Sequence, residues 1–375
     1  METEIAIIGG GLSGLALARN LAEAGRDFQL FEARDRLGGR ILSLDQAAQA
    51  ATNPDSCGYD LGPSWFWPGQ HRMATLVREL NLYRFDQFAS GTVLFETETG
   101  EIRRDLGFAS MQGAWRIQSG MRGLIDGLAQ QLPQARLHLN HAATGLQEEG
   151  LISFANGQTC RAPQIVLALP PRLAAGLSFR PALSPDQMQA LAGIPTWMGG
   201  QAKFVALYDQ PFWRAAGLSG DAISRIGPLA EIHDACPPDA ALGRGAPAAL
   251  FGFVGLPPQA RQQAQQQQNQ NTVSNQTVTQ AAVAQLQRLF GARAAHPVHI
   301  AYQDWAQEGY TAAPLDQRPT GTHPAYGLPR ALQNIWQGRL SFCVSELAPD
   351  MGGYLEGALA VAQEQAKRLQ SEHAP

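Results

Sequence analysis

Cysteine is scarce in this chain: Cys57, Cys160, Cys236 and Cys343 are the only four in 375 residues, and no two share a paired spacing. That pattern excludes a disulfide framework and a thiolate metal site, and it suits a protein kept reduced in a cytoplasm. Charge is scarce too, at 16% of residues, and Lys plus Arg (28) fall short of Asp plus Glu (32). The net charge of -4 leaves no broad basic surface, so nucleic acid is not an expected partner. No apolar run approaches the roughly 20 residues of a membrane helix, so no membrane partner is expected either. No secretory leader is visible ahead of the first apolar run at Ile5. What is abundant is hydrophobic residue, 45% of a length that one simple core does not fill, which predicts two structural units.

The opening forty residues organise the rest. Residues 5–8 (Ile-Ala-Ile-Ile) form a short apolar run suited to a strand buried on both faces. Gly9, Gly11 and Gly14 follow in G-x-G-x-x-G spacing, then Leu15, Ala18, Leu21 and Ala22 recur at helical spacing until Gly25. Residues 28–31 make a second strand that ends on Glu32. Strand, glycine turn, helix, strand and acid in that order make a dinucleotide-binding unit. Gly9 permits the tight turn, Gly11 a close approach to a pyrophosphate, and Gly14 close packing of helix on strand. Leu12 and Ser13 open the helix, whose N-terminus attracts phosphate. Glu32 stands about 20 residues on, where a carboxylate accepts hydrogen bonds from ribose hydroxyls and repels a 2′-phosphate.

Residues 32–40, Glu-Ala-Arg-Asp-Arg-Leu-Gly-Gly-Arg, resemble the E-A-R-x-R-x-G-G-R signature of the flavin-containing amine oxidase family, which includes monoamine and polyamine oxidases. By that resemblance Glu32, Ala33, Arg34, Gly39 and Arg40 contact FAD, the two arginines as cations on its pyrophosphate. Residues 60–65 resemble the family's D-x-G-G segment, so Gly62, Pro63, Ser64 and Trp65 are expected along the flavin, with Pro63 in place of the usual second glycine. Ala143 matches a position that meets the adenine end. Residues 339–346 resemble R-x-x-F-A-G-x-E, a strand end that meets the phosphates through Glu346, with Cys343 and Val344 replacing the small pair. Residues 351–358 resemble the family's G-Y-x-E-G-A, which implies that Gly353, Tyr354 and Leu355 stand where a helix N-terminus faces the flavin pyrimidine.

Lys203, in an apolar strand, resembles the family lysine that reaches the flavin N5 edge through a water, and Tyr310 with Tyr354 maps onto the aromatic pair flanking the amine. Covalent relatives carry a cysteine before that first tyrosine; here it is Gly309, so FAD is expected to be bound non-covalently.

The implied fold is α/β: a Rossmann-like FAD-binding domain from residues 1–65, 117–180 and 328–375, and a substrate-binding domain of mixed sheet and helices from 66–116 and 181–327. The implied reaction passes a hydride from the carbon beside an amine nitrogen to flavin, gives an imine that water hydrolyses, and returns electrons to oxygen as hydrogen peroxide. The partners are thus a small amine and molecular oxygen. Two alternatives share the opening and closing motifs: a desaturase or protoporphyrinogen-oxidase-like dehydrogenase, and a flavin-binding redox module without turnover. A polyamine substrate points to Glu308 as a tunnel acid, and an amino acid to Arg72, Arg214 or Arg225.

Further along, residues 85–102 alternate as a small antiparallel sheet, 137–143 read as one strand, and the glutamine-rich 258–280 reads as an exposed helix or excursion.

Overall fold

All four residues of the strand Ile5–Ile8 are buried, because the strand is central in a sheet covered on both faces. In this computed structural model, which describes residues 1–45, 57–104, 109–238, 246–269, 277–318 and 321–371, the strand pairs in parallel with Phe28–Phe31 on one side and Gln164–Leu167 on the other. Leu137–His138 and Leu340–Phe342 complete the five strands, both also parallel. The helix Leu12–Glu23 lays Leu15, Ala18 and Leu21 into one core with Ala358, Leu359, Ala362 and Leu369 of the final helix, Leu355–Ser371. Each fully buried leucine there contributes about 1.5–3 kcal/mol. The first and last helices therefore close over the same strand.

A second sheet has seven strands, in the order His299–Asp304, Ala202–Tyr208, Ala248–Val254, Leu229–Asp234, Leu218–Ser224, Thr92–Glu96 and Ile102–Arg103. Every residue of Ala202–Tyr208 is buried. One face packs on the helix Val278–Phe290 through Ala282, Leu286 and Leu289. Thr277 and Gln280 form a capping box at its start, and Gly291 (φ 94) ends it. Among the described residues no helix is long and apolar enough to cross a membrane.

Two local expectations change. Residues 137–143 are not one strand: the chain leaves the parallel sheet after His138, turns at Asn140 (φ 59), and enters a four-stranded sheet at Ala143. Backbone bonds from Asn140 N to Arg34 O and from His141 N to Glu32 O force that turn. Residues 85–102 divide between two sheets, Arg84–Asp86 pairing with Trp115–Ile117 and Thr92–Glu96 joining the seven strands. In the glutamine-rich stretch Pro258–Asn269 is helical, while 270–276 lie outside the described residues.

The glycine turn is packed to the limit. Gly9 has φ +120, and a Cβ on Gly14 would lie 2.0 Å from the Gly9 carbonyl oxygen. Overpacking of this kind costs about 1–3 kcal/mol. Gly14→Ala is accordingly expected to lower the unfolding free energy by that amount, read as a fall in the urea midpoint at unchanged slope.

Candidate active site

A cavity of about 630 Å³ is lined by the glycine turn, the Gly62–Trp65 segment, the Lys203 edge of the seven-stranded sheet and the start of the final helix. Every residue expected at the site lines it except Gly14, which packs inward, and Glu346.

At the turn, a Cβ on Gly11 would meet nothing within 4 Å, and no side chain caps the helix that begins at Leu12. The first-turn N–H groups of that helix are thus free for an anion. Glu32, only 3% exposed, accepts from the N–H of Gly10 (2.8 Å) and of Arg34 (2.9 Å). Its remaining lone pairs face the cavity.

The two expected pyrophosphate cations are both already paired. Arg40 donates to the Glu346 carboxylate through both terminal nitrogens (2.5 and 3.0 Å), to Ser345 Oγ (3.3 Å) and to Trp197 O (3.3 Å). Burial alone would push the Glu346 carboxyl up, but Arg40 holds it below its ordinary value. Glu346 is fully buried and does not reach the cavity, so the expectation that it meets phosphate is corrected: an uncompensated guanidinium costs several kcal/mol, and Glu346 compensates Arg40. Arg34 donates to Thr311 Oγ1 (2.9 Å) and lies 3.5 Å from both Glu32 and Glu308. Glu308 shares that guanidinium with Glu32, and it does not line the cavity.

Lys203 is buried on its strand. Its ammonium donates to Gly62 O (2.7 Å), Ser64 Oγ (2.6 Å) and Asp60 O (3.3 Å), and lies 4.2 Å from the Phe251 ring centre. Burial pushes it down to about 7, with Asp60 opposing the shift and Arg116 adding to it. Trp305 Nε1 donates to Leu61 O (2.9 Å), so the Asp60–Ser64 backbone is held by two side chains of the seven-stranded unit.

The two tyrosines have different supports. Tyr354 stacks on His323 (5.2 Å, 15° between planes), and His323 in turn meets the Trp197 ring at 4.4 Å. Tyr310 is 48% exposed, with the Arg34 guanidinium 5.4 Å from its ring centre. The turn closed by Thr311 N and Ala312 N on Glu308 O holds Tyr310 beside Arg34, and both tyrosines line the cavity. Trp197, Glu231 and Phe253 also line the cavity and were not expected from sequence; Trp197 directly precedes the Met-Gly-Gly-Gln-Ala-Lys run, the one local signal for it. Among the described residues no cluster of His, Cys, Asp or Glu could hold a metal ion.

Residues 12–107 and 84–370 match the family model described as flavin containing amine oxidoreductase. The chain belongs to that family. It is 23% identical to amine oxidase B of Sus scrofa over 98% of this chain and 86% of the relative, and 22% identical to amine oxidase A of the same species over 98% and 84%. Cyclohexylamine oxidase from Brevibacterium oxydans superposes with a TM-score of 0.78 at 19% identity, and putrescine oxidase bound to putrescine with 0.76 at 20%, each covering 99% of both chains. At that identity the two structures establish a shared fold.

The chain is therefore an FAD-dependent oxidoreductase acting on amines, and the cavity fits that cofactor: open space at Gly11, an uncapped helix N-terminus and an acid at the end of the second strand. None of the four cysteines lines the cavity, in keeping with non-covalent binding. Cys343 is buried against Ser13 O and Val344 lines the wall, so the substituted pair is accommodated. A methyl group on Gly11 fills the open space without touching protein. Gly11→Ala is expected to fold normally and to bind FAD about 10- to 100-fold more weakly, the equivalent of about 1–3 kcal/mol, by fluorescence titration.

Proposed function

We propose that this amine oxidase removes a hydride from the carbon beside an amine nitrogen and releases an imine that water hydrolyses to an aldehyde or ketone. Bound FAD supplies the electron sink and the reaction with oxygen that yields hydrogen peroxide. The observation that carries the reading is Lys203: a buried ammonium fixed to Gly62 O and Ser64 Oγ at the cavity wall, with no carboxylate side chain within bonding distance among the described residues.

Lys203 has two roles in this reading. It clamps the Gly62–Ser64 backbone in place, and it presents a donor whose proton is held loosely near neutral pH. Tyr354, at the start of the final helix and braced by His323, offers an aromatic face that orients the amine. The apolar wall formed by Trp65 and Phe253 excludes water from the reacting carbon. We further propose that residues 1–65, 117–180 and 328–375 bind FAD and that 66–116 and 181–327 bind the amine. In support, all five parallel strands fall in the first set and all seven strands of the second sheet in the other.

Among the described residues, an amino-acid substrate finds no unpaired arginine in the cavity. The arginines that line the cavity, Arg34 and Arg40, are ion-paired, while Arg72 pairs with Glu356 and Arg214 with Asp234. Arg225 does not line it.

Peroxide release with a panel of amines tests the reading, and no release with any of them ends it. Lys203→Met is expected to lower kcat on the order of 100-fold, and Tyr354→Ala to raise KM about tenfold. Because the folded protein holds Lys203 near 7, below its ordinary value of about 10.4, the unfolded chain binds the extra proton between those limits, and this group's contribution to stability rises with pH across that window. The kcat profile of the wild type is expected to break near pH 7, and the break to vanish in Lys203→Met.

A further inference from the structure

Two carboxylates line the cavity among its described residues, Glu32 and Glu231, and they differ in what holds them. Glu32 is bound by two backbone N–H groups at the nucleotide end. Glu231 stands on the strand Leu229–Asp234, with its side chain 40% exposed, and its one ion contact among the described residues is His233, at 3.7 Å.

The register places Glu231 relative to the chemistry. Glu231 is paired with Phe253, and Phe253 with Lys203, so the three stand in a row across three neighbouring strands. Two strand spacings put Glu231 roughly 10 Å from Lys203 along that row. The wall between them is aromatic, Phe253 with Trp65 beside it.

Behind Glu231 lies a buried relay. His233 is 1% exposed; its Nδ1 is 2.6 Å from Asp221 Oδ1, and its ring meets Trp65 edge-on at 5.1 Å. Asp221 is buried too, and its Oδ2 has no hydrogen-bond partner among the described residues. Among the described residues, Nε2 of His233 makes no hydrogen bond, and Glu231 Oε2 lies 3.7 Å from it. An imidazole needed only for packing would have its second nitrogen satisfied. Here that nitrogen is aimed at a carboxylate on the cavity surface, and His233 keeps the Glu231 carboxyl below its ordinary value. With the imidazole charged, Asp221, His233 and Glu231 together still carry one negative charge.

We propose that Glu231 binds a second cationic group of the substrate, so that the preferred substrates are amines with a second positive charge at the far end of an aliphatic chain, and that His233, anchored by Asp221, positions Glu231 for that contact. A carboxylate set beside aromatic faces is a receptor for an ammonium ion. The inference rests on the amine-oxidase reading and names the substrate class of the same cavity.

The test compares cadaverine with n-pentylamine, which differ only in the distal ammonium, on the FAD-loaded full chain. The expected result is a kcat/KM ratio favouring cadaverine that falls about 10- to 100-fold in Glu231→Gln, mostly through KM, and is partly kept in Glu231→Asp. His233→Gln is expected to raise KM for cadaverine with little change in kcat. A Glu231→Gln variant that leaves the ratio unchanged, or that loses activity equally on both amines, overturns the proposal. If neither amine is oxidised, the amine-oxidase reading fails separately. The thermal shift given by cadaverine over n-pentylamine then decides Glu231: its loss in Glu231→Gln supports the site, and its absence in the wild type overturns it.

Discussion

The pair formed by Arg40 and Glu346 sets the geometry on which everything else depends. Arg40 belongs to the opening nucleotide-binding unit and Glu346 to the segment before the final helix, 306 residues later. Trp197, from the approach to the Lys203 strand, joins both: its carbonyl accepts from Arg40 and its N–H donates to Glu346. Three distant parts of the chain thus meet at one buried charge pair. Removing one partner of such a pair costs about 3–5 kcal/mol, whereas replacing both by apolar residues is often neutral. Its value is therefore specificity of arrangement, since displacing the Trp197 segment would break its bonds to both charges.

That clasp also explains which parts of the site were legible in sequence. The glycine turn and the strand Ile5–Ile8 declare themselves because their constraints are local: Gly14 faces Gly9 five residues away, and a doubly covered strand must be apolar throughout. Lys203 was legible for a related reason. It is one of two lysines in the chain, and a charge set in a wholly buried strand needs partners supplied by a site. The partners of the arginines were hidden because sequence shows a cation but not its counter-ion. Glu346 and Glu308 lie about 300 residues from Arg40 and Arg34, and only the fold brings them together. The break at Asn140 was hidden likewise, being imposed by the backbone of residues 32–34.

Glu231 was illegible for another reason. In sequence it is one acid in Leu-Ala-Glu-Ile-His-Asp, a run without alternation and without a motif around it. Its meaning comes from two neighbouring strands that align it with Phe253 and Lys203, and from Asp221 on a third. No periodicity within one strand encodes a row across several.

The two ends of that row pose one electrostatic problem. Aromatic walls lower the local dielectric, so a cation near Lys203 is penalised both by desolvation and by any charge Lys203 carries. An amine nitrogen that reacts there must arrive neutral, which fits its role as the electron-rich partner in hydride loss. The same low dielectric strengthens attraction between Glu231 and a cation at the far end. A substrate charged at one end and neutral at the other is therefore held in a single orientation, its neutral nitrogen directed to Lys203 and its charge to Glu231. A monoamine has no such polarity along its length, and the aromatic face of Tyr354 alone must orient it.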